Sequence, residues 1–119
     1  MSTTAQSSSK AKSPRFANPA VARCAKAWER AYNKIISVPD RDKAPEDRED
    51  FARDEAEIAF RKALPPLCGE ENIRDFIACV AYALINEILL PIVCTNYLDA
   101  AKIALTAVRV HRRPQSGAA

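Results

Sequence analysis

Phe76-Ile77-Ala78-Cys79-Val80-Ala81-Tyr82-Ala83-Leu84-Ile85 is a run of ten consecutive apolar residues, too long for the one-sided stripe of a surface helix. Glu70, Glu71 and Asn72 open a helix before it, and Pro91 closes the segment after it, so the run predicts a helix from Glu70 to about Leu90. A helix that is apolar on nearly all sides belongs at the centre of a bundle. Its expected stripe is Ile73, Ile77, Val80, Leu84 and Ile88, with Glu87 beside it as a partly buried carboxylate facing a cation such as Arg61 or Lys102.

Upstream, Pro65 and Pro66 stop the preceding helix and Cys68-Gly69 completes a turn. That preceding helix is expected from about Glu46 to Leu64. Glu46, Asp47, Glu49 and Asp50 crowd its first turns, where negative charge meets the positive end of the helix dipole. Its apolar face is Ala52, Ala56, Ala59, Phe60 and Ala63, with Phe51 and Ile58 on a second face. Pro39 to Pro45 reads as a loop. Before it, Asn18 as N-cap and Pro19 at the first helical position start a helix to about Val38. There Val21, Cys24, Ala25, Trp28, Ala31, Tyr32 and Ile35 form one stripe at helical period, anchored by Trp28.

Downstream, Thr95 to Tyr97 are expected to begin a last helix with an imperfect capping box, packed through Leu98, Ala101, Leu105 and Val108. The expectation is an all-α, small four-helix bundle in a single domain, residues 17–113. Residues 1–16, rich in Ser, Thr and Lys, read as a disordered, flexible basic arm, and residues 114–119 as a frayed tail.

Composition narrows the function. The chain has 119 residues, enough for one core, and only two glycines, which leaves no supply for hairpins or phosphate-cradling loops. The four cysteines, Cys24, Cys68, Cys79 and Cys94, never form C-x-x-C, and His111 is the only imidazole, so neither a metal site nor a cofactor is expected. The start lacks the apolar run a translocon reads, which suggests the cytoplasm and free thiols. Phe76 to Cys94 contains Asn86, Glu87 and Pro91, which argues against a membrane span. His111 stands among Arg109, Arg112 and Arg113 with no nucleophile beside it, and the helix-two carboxylates are expected to be solvated. No enzyme is expected.

The net charge of +3 hides a segregation. Residues 1–38 carry seven basic groups against one acidic, residues 102–119 four against none, and residues 39–57 nine acidic against four basic. Arg23, Lys26, Arg30 and Lys34 form a ridge on helix one, and Lys102, Arg109 and Arg113 line the outside of helix four. If helices one and four are neighbours, the two ridges join into one surface, extended by the basic arm, for nucleic acid or a nucleoprotein complex, although no aromatic is interleaved with them for base stacking. The alternative is a protein partner that takes the acidic loop and helix two, through Glu46, Asp47, Asp50 and Asp54. The alanine-rich second helix makes a thin core, so a homodimer is a further option.

Pro65 to Val80 (PPLCGEENIRDFIACV) resembles a segment of short uncharacterised helical proteins of soil bacteria and their mobile elements. The resemblance covers roughly residues 50–110. It implies a helical fold and a bacterial setting, in which an accessory DNA-binding protein or an anti-CRISPR-like inhibitor of a defence nuclease is a natural role.

Overall fold

Local chemistry sets each helix end in turn. The computed structural model describes residues 18–39 and 42–118, with side chains described as far as residue 110, so the arm assigned to residues 1–16 lies outside the described residues. α1 spans Pro19–Ile36. The Asn18 side chain accepts from the backbone N–H groups of Ala20 (2.8 Å) and Val21 (3.3 Å), satisfying two donors that the first turn leaves open. At its far end the Ser37 N–H donates to the Asn33 carbonyl, and Arg48 Nη2 donates to the Ile36 carbonyl at 3.0 Å.

α2 spans Pro45–Ala63, with Pro45 in the first turn and Glu46 and Asp47 against the dipole. α3 spans Glu70–Ile85 and α4 spans Pro91–Ala118. The chain turns into α3 at Gly69, whose φ of +85° is a conformation that side-chain-bearing residues rarely adopt.

Three ends differ from the sequence expectation. α3 stops at Ile85 rather than near Leu90, because Glu87 takes a left-handed φ of 56°. The Ile88 N–H then donates to the Ala83 carbonyl (2.8 Å) and the Glu87 N–H to the Leu84 carbonyl (3.2 Å), which is the Schellman pattern of a helix end. α4 starts at Pro91, not at Thr95: a proline that cannot continue one helix can begin the next, since its missing N–H is one the first turn would leave unpaired. Thr95 is already inside the helix, its hydroxyl donating back to the Pro91 carbonyl at 3.0 Å. α4 also continues through Pro114 to Ala118, where a frayed tail from residue 114 was expected.

The four helices bury one apolar core, with Phe60, Ile73, Val80 and Leu89 as its largest fully enclosed side chains. α1 and α2 run antiparallel, tied by Tyr32 to Glu49 and by Arg48 to the end of α1. α3 and α4 form a second antiparallel pair, through Phe76 on Tyr97. The pairs join where α1 meets α3: Asn18 Nδ2 donates to Asp75 Oδ1 at 3.0 Å, and the Cys24 and Cys79 sulfurs lie 3.7 Å apart in the core. α2 reaches α3 through the stacked rings of Phe60 and Tyr82.

Helices α1 and α4 are therefore not neighbours. α3 stands between them, because its apolar surface gives one face to α1 and another to α4. It is central, as its sequence demands, yet not enclosed. Its buried stripe is Ile73, Phe76, Cys79, Val80 and Ala83, rotated from the expected one, so Ile77 is half-exposed and Leu84 exposed.

Candidate nucleic-acid interface

Residues at intervals of three and four on α1 share a face. Arg23, Lys26, Arg30 and Lys34 occupy that face and are all exposed. Among the described residues no carboxylate lies within ion-pair distance of any of them. Four arginines elsewhere are held, Arg53 by Glu49, Arg61 by Glu57, Arg74 by Glu70, and Arg109 also by Glu70 at 3.7 Å, whereas Lys62 and Lys102 are exposed and, among the described residues, in no ion pair.

The two predicted ridges do not merge. Lys102 and Arg109 are exposed on α4, on the far side of α3 from α1, and Arg109 is drawn to the start of α3. The Arg113 side chain lies outside the described side chains. What the fold does bring to the α1 ridge is an aromatic that its spacing did not reveal. Lys34 lines a groove of about 270 Å³ with Ile35, Val38, Lys43, Arg48 and Phe51. Phe51 is 41% exposed, and Lys43 Nζ stands 4.6 Å from its ring centroid. Phe51 lies within an acidic stretch of sequence, so only the α1–α2 antiparallel packing places it beside Lys34. The charged residues lining the groove, Lys34, Lys43 and Arg48, are all basic, and Glu46 and Asp47 at the start of α2 are not among its lining.

Of the alternative set, Glu46, Asp47, Asp50 and Asp54 are exposed on α2 and make no ion pair among the described residues. Glu87 is exposed, not partly buried, and pairs with neither Arg61 nor Lys102. Its place in a helix-ending turn points it out of the core, which corrects the ion pair expected for it.

The buried titratable groups are thiols. The hydrogen bond shared with Cys79 lowers the Cys24 pKa against the opposing effect of burial, with Arg23 adding to the lowering, and Cys79 is raised far above the usual thiol value by that same bond and by burial. Burial alone raises Cys94. Cys68, in contrast, is exposed. Among the described residues no three His, Cys, Asp or Glu side chains converge as metal ligands, and no helix is long and apolar enough to cross a membrane.

No known protein family, characterised protein or solved structure matches the chain. Function has to be read from the surface itself.

Proposed function

We propose that the chain is a small non-enzymatic accessory protein that binds nucleic acid, alone or in a nucleoprotein complex, through the ridge Arg23, Lys26, Arg30 and Lys34. One observation carries this reading: these four cations are exposed on one helix face and, among the described residues, in no ion pair, while Arg53, Arg61, Arg74 and Arg109 are each paired with a glutamate. A row of free cations releases counterions when it meets phosphates, which supplies most sequence-independent affinity. The groove at the end of the ridge adds Phe51, a face on which an unpaired base can stack.

The test is fluorescence anisotropy of labelled single- and double-stranded DNA and RNA, repeated from low to near-physiological salt. Binding that weakens steeply with salt is expected, and Lys26→Glu with Arg30→Glu is expected to abolish it while leaving the helical signal intact. Unchanged binding in that variant, or none in the native chain at low salt, defeats the reading.

Glu46, Asp47, Asp50 and Asp54, exposed and in no ion pair among the described residues, favour a second reading, a protein partner with a basic groove, as an inhibitor of a defence nuclease would require. Capture of a protein from nuclease-treated bacterial lysate, lost on Asp50→Lys with Asp54→Lys, is its expected signature.

A further inference from the structure

Where α3 turns into α4, aliphatic side chains meet water. Leu84, Ile85, Leu90 and Ile92 expose 40, 78, 64 and 65% of their surface. Leu84 and Leu90 line a groove of about 840 Å³ with Trp28 and Leu89, and Ile85 and Ile92 flank these in the chain. Single exposed aliphatics are ordinary, whereas a cluster around a groove marks a contact surface. The groove also carries three charged side chains, Arg53 and Glu57 from α2 and Glu87 from the turn; Glu57 is held by Arg61, which leaves Arg53 and Glu87 as the opposite charges that a partner would meet.

Glu87 is the most informative of these residues. Its left-handed backbone is one that glycine would supply without strain, and a strained residue kept at a surface groove points to use of its side chain. That side chain is exposed and makes no ion pair within the described residues. Among the described residues Arg53 is held only by Glu49, one turn away on the same exposed helix surface, a contact weak enough to be exchanged.

We propose that this corner is a two-fold interface between two copies of the chain. A partner of one charge sign would meet repulsion from Arg53 or from Glu87. A second copy, rotated about a two-fold axis, sets its own Glu87 against Arg53 and its Arg53 against Glu87, and lays its aliphatic cluster on the same cluster. An apolar centre rimmed by opposite charges is also the anatomy of stable interfaces, which take ~800 Å² from each partner. The surface is separate from the α1 ridge, so the proposal stands or falls independently of phosphate binding.

The test is sedimentation equilibrium of the full chain, without nucleic acid and with reductant present so that the exposed Cys68 cannot cross-link copies. A dimer is expected at micromolar concentration. Glu87→Arg is expected to weaken it about tenfold or more by setting two cations together, and adding Arg53→Glu in the same chain is expected to restore it. Ile85→Lys with Leu90→Asp is expected to give a monomer with unchanged circular dichroism. A native chain that stays monomeric throughout overturns the proposal. So does a dimer indifferent to both Glu87→Arg and the aliphatic pair, and a charge swap that fails to rescue overturns the Arg53–Glu87 pairing.

Discussion

Gly69 and Glu87 stand at the two ends of α3, and both hold a positive φ, so opposite substitutions there should have opposite signs. A Cβ added at Gly69 meets nothing within 4 Å, so Gly69→Ala carries no steric clash, only the backbone penalty. With φ at +85° and ψ at 146°, that penalty is of order 1–3 kcal/mol of stability lost. Glu87→Gly removes a comparable strain and returns part of it as extra freedom of the unfolded chain, leaving a gain of about 1 kcal/mol. Urea unfolding of both variants at low concentration checks the pair, and equal signs would contradict the backbone assignment. The Asn18 cap was legible in sequence, because capping is short-range chemistry between a side chain and the next two N–H groups. Glu87 was not, since nothing in Asn86-Glu87-Ile88 marks a left-handed residue, and a carboxylate beside an apolar stripe reads more naturally as an ion pair.

At the scale of elements, helical period found all four helices and the buried faces of α1, α2 and α4, but not all their ends. Pro91 was read as a stop and is also a start, and the sequence offers no local feature to separate the two roles. The four cysteines, with no C-x-x-C pair among them, read as small buried residues; Cys24, Cys79 and Cys94 are buried, Cys68 is exposed, and the burial of the three has a consequence for pH. In the unfolded chain a thiol loses its proton near ~8.5. The folded chain keeps the protons on Cys79 and Cys94 above that value, so there it binds more protons than the unfolded chain, and its stability falls as pH rises. Cys24 is shifted downward and works in the opposite sense, so it offsets part of the loss. Unfolding free energy is therefore expected to decline as pH rises past the ordinary thiol value of ~8.5, and to decline less in Cys94→Ala, whose overall stability is lower because its side chain fills the core. Identical pH slopes for the variant and the native chain would show that Cys94 titrates normally.

At the scale of the whole molecule, period says which face of a helix is buried and is silent on which helix covers it. The sequence reading joined the first and last helices, as a closed bundle does, whereas α3 is apolar on enough of its surface to hold α1 and α4 apart. This packing order makes a prediction about binding that the joined surface would not. If the four α1 cations each meet a phosphate, the logarithm of affinity should fall against the logarithm of salt with a slope of about −3.6 on duplex DNA and about −2.8 on single strands. Lys26→Gln with Arg30→Gln should roughly halve that slope, since two of four contacts are gone. Lys102→Gln should leave it unchanged, because Lys102 projects from a helix that α3 separates from the ridge. Arg109→Gln should also leave it unchanged, at a small cost in stability, since what it loses is an exposed pairing with Glu70. A loss of slope on Lys102→Gln matching that of Lys26→Gln alone would mean that nucleic acid spans both helices, and that α1 with α4, rather than α1 by itself, forms the binding surface.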